Sequence, residues 1–264
     1  MAAAPSQPTV FEPSDAQYGI FYWIHLNGKA LDNCNTVQNI VKSCSRIHHT
    51  AQRVDDPTGL KVGVGFGKKF LKQITEILKR KKELQGLRDN FLLLAERVKY
   101  QDWKIGKKIV LPSKGGDIFV HAKGNNVGTL YEFQHVFYNT LPHKSVDPEK
   151  TSITRGFTFQ HHRDISGYMD GIANPATTEE RRNWAVLSNT GGSFVITQKW
   201  AHRMDTVKVE RPDDAIVDQQ NQWIGRKREN GRLLEDIQPR AHVNLMRKGS
   251  RIHLQYTVLK DYEG

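Results

Sequence analysis

The sequence predicts an α+β fold in which a complete ferredoxin-like unit is followed by part of a second one. Three observations favour it. Segments rich in aromatic and β-branched residues alternate with segments of helical period, in the order β-α-β-β-α-β over residues 16–162. Gly-Gly turns precede two of the predicted strands. The order then starts again after residue 162, so we expect antiparallel sheets with helices outside.

The composition is typical of a soluble globular protein. The chain has 264 residues, with 38% hydrophobic and 25% charged residues. No apolar run approaches the roughly 18–20 residues that cross a bilayer. Residues 1–15 contain no basic region followed by an apolar stretch, so we predict a flexible N-terminal arm and no secretory signal. The expected location is intracellular, cytoplasmic by default, with the mitochondrion as the alternative. Cys34 and Cys44 are predicted to be free thiols.

The charge balance is strongly basic. With 39 basic and 28 acidic residues, the formal net charge is +11, which favours anionic partners or is simply a basic surface. The densest basic segment, 68–88, has apolar residues at helical spacing and is predicted to be an amphipathic helix with a solvated basic face. No recognisable nucleic-acid-binding motif accompanies it, so a nucleic-acid partner is disfavoured.

The first unit, residues 16–162, accounts for one complete sheet. Strands are predicted at 18–26, 59–67, 115–124 and 151–162, and helices at 35–54, 68–88 and 127–141. The glycine-rich stretch at 61–69, KVGVGFGKK, lacks the spacing of a phosphate-binding loop, and we therefore do not interpret it as one.

The second unit, residues 163–264, repeats only part of this order. A helix at 177–187 begins with Thr and Glu residues that suit a capped start, and a second helix is predicted at 211–228. A strand is predicted at 191–202 and a hairpin at 241–259. A third strand, a second helix and a fourth strand are missing, so the second unit is predicted to be incomplete, with open sheet edges.

Two residues are candidates for chemistry. Asp170 is the one charged residue in GYMDGIANP, residues 167–175, where the flanking glycines allow a sharp turn and a close approach to another group. An aspartate in a turn usually stabilises that turn, which is the structural alternative. His242, in RAHVNL, is one of 11 histidines and by itself indicates neither a ligand nor a core residue.

The order of these blocks resembles that of the dye-decolourising peroxidases. The stretch GFTFQHHRDISGYMDGIANP is followed by GGSFVITQKWAH, IGRKR and AHVNL. The signature of that family, G-x-x-D-G, corresponds to Gly167, Asp170 and Gly171, and Asn174 and Pro175 complete its longer form. The resemblance implies two ferredoxin-like units with facing sheets and haem b held by the second.

The resemblance also implies residue roles. His242 would be the axial ligand of the haem iron, a role that suits a neutral imidazole. Gly167, Gly171 and Asn174 would lie with Asp170 at the other haem face. The Asp170 carboxylate would take a proton from hydrogen peroxide and return it to the leaving oxygen, as general acid–base catalysis requires. The function implied is that of a hydrogen-peroxide-dependent oxidoreductase.

Two departures from the family pattern predict impaired activity. The family has an arginine on the strand after the axial histidine, and Leu254 occupies that position, followed by the expected Gln255. Arg251, three residues earlier, would point to the opposite face of an extended strand. The sequence also ends at Gly264, before the elements that close the second sheet in the family.

Three accounts of function therefore stay open. The chain is a working peroxidase whose sheet is completed by another chain, or it binds haem without useful turnover. In the third account it is a pseudoenzyme, a structural subunit of a larger assembly whose unfinished sheet is covered by a partner or by self-association. A basic surface that binds nucleic acid or an acidic filament is a further class, which the salt dependence of binding would distinguish.

Overall fold

The computed structural model describes residues 8–12, 15–54, 59–80, 82–97, 101–160, 163–172, 174–188, 190–199 and 214–249. The helices are α1 Pro8–Phe11, α2 Gly28–Asp32, α3 Cys34–Ser45, α4 Ile47–Val54, α5 Lys68–Leu78, α6 Gln85–Arg97, α7 Val127–Thr140, α8 Thr178–Ala185, α9 Asp214–Ile224 and α10 His242–Gly249. The strands are β1 Tyr18–Ile24, β2 Lys61–Phe66, β3 Trp103–Ile105, β4 Lys108–Leu111, β5 Ile118–Gly124 and β6 Ser152–Phe157.

The main sheet has the strand order β2-β5-β1-β6, and every neighbouring pair is antiparallel. In this arrangement β5 lies between β1 and β2, so the β1-helix-β2 connection is split by a later strand, which is the ferredoxin-like order. Tyr18 pairs with Gly124 on one side and with Phe157 on the other. The predicted α+β class, with an antiparallel sheet covered by helices, is confirmed.

One face of this sheet carries the hydrophobic core. Alternate residues of β1 and β5 point to the same face, because side chains alternate along a strand. The helices α3, α4, α5 and α7 contribute the other half of this core, which three fully buried phenylalanines help to fill. Its largest fully buried side chains are Phe70, Phe133, Phe137, Ile24, Leu31, Ile40, Ile47 and Ile118.

The opposite face of the sheet is aromatic and basic. Phe21 stacks on His121 with ring centroids 4.7 Å apart, and it also lies 6.1 Å from Trp23. Helix α1, in the predicted N-terminal arm, packs against β2 beside this face. The Glu12 carboxylate, just after α1, forms an ion pair with Lys61 Nζ at 3.1 Å. Residues 8–12 of the arm are thus attached to the sheet.

The basic segment 68–88 is not one helix, contrary to the prediction. Helix α5 ends at Leu78, a turn of 3₁₀ helix covers Lys82–Leu84, and α6 then begins at Gln85. The amphipathic character of α5 is confirmed: its Phe70, Leu71 and Ile74 side chains are buried. The β3–β4 hairpin that follows was not predicted, because its short strands are exposed and lack a regular apolar pattern.

The helices of the second half follow local sequence signals. Helix α8 begins with a capping box, in which the Thr177 side chain accepts the Glu180 N–H and the Glu180 carboxylate accepts the Thr177 N–H. Helix α9 ends at Ile224, before the predicted end at residue 228. Gly225 follows with φ of +84°, a conformation that stops a helix and favours glycine.

Two predicted elements of the second unit differ in the structure. Residues 191–199 of the predicted strand 191–202 form no strand with any part of the described chain. The predicted hairpin 241–259 is wrong at its start, because residues 242–249 form helix α10. The Leu, Met, Arg and Lys residues of this segment favour a helix, and the helix ends at a glycine. Residues 200–213 and 250–264 lie outside the described residues.

Two smaller predictions concern the thiols and membrane spans. Cys34 is half-buried and Cys44 is buried, and both are free, as predicted. Burial raises the pKa of the Cys44 thiol to about 12, which keeps it protonated and unreactive at neutral pH. Among the described helices, none is both long and apolar enough to cross a membrane.

Candidate functional site

The signature loop, residues 163–174, folds back on itself in two consecutive turns. In the first turn, the Gly167 N–H donates to the Asp164 carbonyl at 2.8 Å, and the Asp164 N–H donates to the Tyr168 carbonyl at 2.8 Å. Arg163 and Met169 pair as an isolated antiparallel bridge across it. Gly167 has φ of +85°, so the turn requires a residue that tolerates the left-handed region.

Asp170 lies between the two turns and is half-buried. Its Oδ1 accepts a hydrogen bond from the Gly171 N–H at 2.7 Å. Gly171 has φ of +73°, and its carbonyl accepts the Asn174 N–H at 2.9 Å, which closes the second turn. The turn therefore orients the carboxylate. This orientation agrees with a role of Asp170 in stabilising the turn and also with a role in acid–base chemistry.

Asn174 completes the loop and retains an unused acceptor. A Cβ on Gly171 would lie 3.0 Å from the Asn174 Nδ2, so the glycine allows the amide to sit close to the backbone. The Asn174 Oδ1 is buried and accepts no hydrogen bond from the described part of the chain. A buried acceptor of this kind is normally satisfied by a water molecule or a ligand.

Arg163 ties the signature loop to the turn that follows α9. Its Nη1 donates to the carbonyls of Gly167 at 2.8 Å and Arg228 at 2.9 Å, and its Nη2 donates to the Glu229 carbonyl at 3.1 Å. One guanidinium thus satisfies three carbonyl oxygens on two segments that are far apart in sequence. Hydrogen bonds from a charged donor are stronger than neutral ones, so Arg163 holds these segments together.

A second link joins Tyr168 to the end of α9. The Tyr168 hydroxyl donates to Asn221 Oδ1 at 2.7 Å, and the same oxygen accepts the Arg228 N–H at 2.9 Å. Tyr168 is buried. Burial raises the pKa of its hydroxyl to about 12, although the nearby Arg228 charge acts in the opposite direction. The hydroxyl is therefore a hydrogen-bond donor at any physiological pH.

His242 is the first residue of α10, and its side chain is exposed. Its neighbours Ala241 and Val243 are buried, and both would contact a Cβ placed on Gly225. The Asn244 Nδ2 donates to the carbonyls of Ile237 and Gln238, at 3.2 and 3.0 Å, and fixes the start of the helix. The buried neighbours anchor this segment, and His242 between them is exposed.

The structure brings four of the predicted site residues together in one loop and places the fifth elsewhere. Gly167, Asp170, Gly171 and Asn174 share the signature loop, and His242 lies on α10. Both the loop and the start of α10 contact the segment 221–234, which we call the α9 turn. The positions at 251 and 254 lie outside the described residues, so the predicted loss of an arginine stays a prediction.

Sequence reasoning missed the residues that connect these parts. Arg163, Tyr168, Asn221 and Arg228 form the contacts between the signature loop and the α9 turn. Arg163 and Tyr168 lie inside the block 156–175, and Arg228 is the last residue of the block IGRKR, so membership in these blocks was a usable signal for three of the four residues. Asn221 lies within a polar helical stretch, and nothing in its spacing marks it.

Exposed apolar side chains lie close to Asp170 in the sequence and on the α9 turn. Met169 and Ile172 flank it and are both exposed, and Leu233 on the α9 turn is exposed as well. A Cβ on Gly231 would collide with Ile172 and lie 3.3 Å from the Met169 Sδ, so these apolar groups pack closely against the α9 turn.

Residues 161–259 match the model of the C-terminal part of Dyp-type peroxidases, a range that includes both Asp170 and His242. The chain is similar to the dye-decolourising peroxidases. It is 26% identical over 168 residues to the dye-decolorizing peroxidase of Rhodococcus erythropolis, which covers 60% of this chain and 43% of that protein. The Mycobacterium tuberculosis enzyme is 26% identical over 170 residues, 60% of this chain and 44% of that protein. The chain thus spans less than half the length of these two relatives.

Solved structures of the family share the fold of this chain. A dye-decolorizing peroxidase from Bacteroides thetaiotaomicron superposes with a TM-score of 0.64 at 20% identity, over 96% of this chain and 75% of that one. A variant of DypB from Rhodococcus jostii RHA1 in complex with haem gives a TM-score of 0.66 at 20% identity, over 98% of this chain and 76% of that one.

Proposed function

We propose that this chain binds haem and reduces hydrogen peroxide with modest turnover, with His242 as the iron ligand and Asp170 as the acid–base residue. One observation carries the proposal: the loop that holds Asp170 and the segment that presents His242 dock on the same α9 turn. Arg163 fastens the loop to this turn. Gly225 on this turn has no side chain, so Ala241 and Val243, the neighbours of His242, can pack closely against it. The two candidate residues are thus parts of one connected substructure.

The residues present fit a haem group. His242 is exposed, and a single axial histidine suffices for haem iron. This matters because the described residues contain no cluster of three or more side chains that could hold a bare metal ion. The exposed apolar groups Met169 and Ile172 would suit a flat hydrophobic macrocycle. The buried, unsatisfied Asn174 Oδ1 would accept a hydrogen bond from a bound water or ligand.

Haem, when bound, supplies the redox chemistry. The chain supplies the proton transfer. The Gly171 N–H holds the Asp170 carboxylate in one orientation. In that orientation the carboxylate would take a proton from hydrogen peroxide and give it back. Gly167 and Gly171 allow the two turns that position the carboxylate, and Arg228 and Asn174 pack closely against them.

A second candidate function is that of a non-catalytic structural subunit. One observation favours it. Phe194, Val195 and Ile196 are three consecutive apolar residues with exposed fractions of 50%, 52% and 87%, and no strand pairs with them in the described chain. A stretch of this kind can add a strand to another sheet, so a protein partner or a second copy of the chain would cover it.

The test of haem binding is an absorbance spectrum of the purified chain during titration with haem. We expect a sharp Soret band in the parent and none in a His242→Ala variant. The matched control is His135→Ala, since His135 is exposed on α7 in the first unit. Unchanged haem affinity in the His242→Ala variant would reject His242 as the ligand.

The absence of any Soret band in a folded chain would favour the structural alternative. In that case we expect analytical ultracentrifugation to detect self-association or a complex, and an Ile196→Glu change to abolish it. A chain that neither binds haem nor associates would exclude both candidates.

A further inference from the structure

A cleft in the first unit has lysines as half of its lining residues and shares no residue with the signature loop or α10. Its volume is about 500 Å³. It lies where β1 ends, α5 begins and the loop before β5 passes between them. Five lysines line it: Lys68, Lys69, Lys72, Lys114 and Lys150. Three of them come from the first five residues of α5, and the other two come from separate loops.

The walls of the cleft are held together by backbone hydrogen bonds around Asp117. The Gly67 N–H donates to the Asp117 carbonyl at 2.9 Å, and the Asp117 N–H donates to the Ile24 carbonyl at 2.9 Å. The buried Asp117 Oδ2 accepts the Leu26 N–H at 2.7 Å. A Cβ on Gly67 would collide with the carbonyl of Gly116, so glycine is required for this close approach. The cleft is therefore formed before any ligand arrives.

The charges in the cleft are largely uncompensated. Lys150 pairs with Asp147 at 2.7 Å. Within the part of the chain that the structure describes, no carboxylate pairs with the other four lysines. Asp117 is the acidic residue in the lining, and one of its oxygens is already occupied by a backbone N–H. An excess of positive charge in a preformed cleft attracts anions and repels cations.

The position of three lysines at the start of α5 adds to the case for an anion. The first turn of α5 has no acidic residue, and its N-cap, Gly67, has no side chain to accept the free N–H groups. Lysines in the first turn oppose the helix dipole and so lower the stability of the empty protein. An anion in the cleft would relieve the repulsion among the lysines.

We propose that this cleft binds an anion with several adjacent phosphate groups. Lysine ammonium groups act as mobile point charges toward phosphate oxygens. A cleft of about 500 Å³ is much larger than one phosphate needs. It lies within the range of roughly 300–1,000 Å³ that is typical of small-molecule sites. The proposal is independent of haem binding and of peroxidase activity.

Isothermal titration calorimetry of the full chain with inorganic triphosphate, and separately with ATP, tests the proposal. We expect a Kd below about 100 μM for triphosphate at an ionic strength of about 0.15 M. Equal affinities would mean that the phosphates alone are recognised, and a tighter complex with ATP would mean that the nucleoside also contacts the cleft. Both results support a polyphosphate site. Failure of both ligands to bind would overturn it.

A variant with Lys68→Gln, Lys72→Gln and Lys114→Gln should weaken triphosphate binding at least about 30-fold. The control removes the same charge from the exposed β3–β4 hairpin, with Lys104→Gln, Lys107→Gln and Lys108→Gln, and should change the affinity less than about threefold. Equal losses in the two variants would overturn the proposal in favour of diffuse attraction. Sulfate that binds as tightly as triphosphate would do the same.

Thermal unfolding checks that the cleft variant remains folded. Without ligand it should melt at or above the temperature of the parent, because repulsion among the lysines is removed. Triphosphate should raise the melting temperature of the parent and leave that of the variant unchanged, since a ligand stabilises only a fold that it binds. If the triple variant does not fold, Lys114→Gln alone should weaken binding, and unchanged affinity in that variant would overturn the proposal.

Discussion

The guanidinium of Arg228 lies directly against the Cα of Gly167. A Cβ built on Gly167 would be 2.6 Å from Arg228 Cζ, which is closer than any Cβ contact in a real protein. Gly167 also has φ of +85°. The turn therefore requires glycine at this position, and a side chain here would also displace the flexible end of Arg228.

We predict that Gly167→Ala destabilises the chain by about 2 kcal/mol or more. An alanine in the left-handed region costs roughly 1–2 kcal/mol, and displacement of Arg228 adds to this cost. The measurement is urea unfolding followed by circular dichroism.

Two other glycines serve as controls that distinguish the cost of the backbone conformation from the cost of displacing Arg228. Gly106 has φ of +59°, and no atom lies within 4 Å of the position that a Cβ would take, so Gly106→Ala should cost the backbone term alone. Gly86 lies in α6 with open space around it, so Gly86→Ala should be neutral or stabilising. A loss in Gly167→Ala no larger than that in Gly106→Ala would mean that the contact with Arg228 contributes nothing.

We predict that Asp170→Asn lowers peroxide-dependent dye oxidation by about 100-fold or more per bound haem, with the Soret band retained. The amide cannot accept the proton that a carboxylate accepts, and general acid–base catalysis contributes about 10²–10⁴-fold. The assay is turnover at saturating peroxide.

The matched control for this prediction is Asp164→Asn. Asp164 lies in the same loop, and its Oδ1 accepts the Ser166 N–H at 2.8 Å, so its role is to stabilise the turn. This change should lower stability and leave turnover per haem nearly unchanged. Equal turnover losses in the two variants would show that Asp170 acts only by stabilising the loop.

We predict that Leu254→Arg raises peroxidase turnover of the haem-loaded chain by up to about 100-fold. The resemblance to the family predicts an arginine at this position, and a positive donor beside a developing anion is worth roughly 100- to 1,000-fold in comparable sites. Leu254→Lys serves as the control for charge without the planar guanidinium. No gain in a folded, haem-loaded Leu254→Arg protein would count against the alignment.

We predict that the chain loses stability as pH falls from about 6.5 towards 3, in part because of His121. Burial and the nearby Lys123 charge lower the pKa of His121 to about 3. The unfolded chain takes up a proton below pH 6.5 while the folded chain does not, so the free energy of unfolding decreases in this window. The slope from this residue is at most about 1.4 kcal/mol per pH unit.

Replacement of His121 by Phe should flatten this part of the pH profile, because Phe can stack on Phe21 without taking up a proton. The control is His135→Phe on the exposed side of α7. Urea unfolding at a series of pH values provides the measurement. An unchanged slope in the His121→Phe variant would show that other groups cause the acid sensitivity.

Much of the first unit could be predicted from the sequence. The strands at 18–24 and 118–124 have the aromatic and β-branched composition that buried strands need. In the second unit, the helix start at Thr177 was equally predictable, because its complete cap lies in the local sequence. The helices of the basic segment after Gly67 were harder to predict. The apolar spacing of this segment predicts a helix correctly, but the break after Leu78 depends on packing of α5 against α6.

The second half shows where local signals fail. The segment that begins at His242 contains residues that suit a strand or a helix, and the helix forms because Ala241 and Val243 are buried beside Gly225. Residues 191–199 have the composition of a strand, yet a strand exists only when a neighbour supplies hydrogen bonds. No such neighbour is present in the described part of the chain.

By itself the sequence determined the α+β class, the positions of the four main-sheet strands and the membership of Asp170 in a glycine-bounded turn, because these depend on periodicity and on backbone preferences within a few residues. Only the tertiary structure decided that Arg163 and Tyr168 fasten that turn to the α9 turn, and that lysines from three separate segments share one cleft. The physical reason is that such contacts join residues about 30 to 80 positions apart, and their partners are selected by packing of the whole chain.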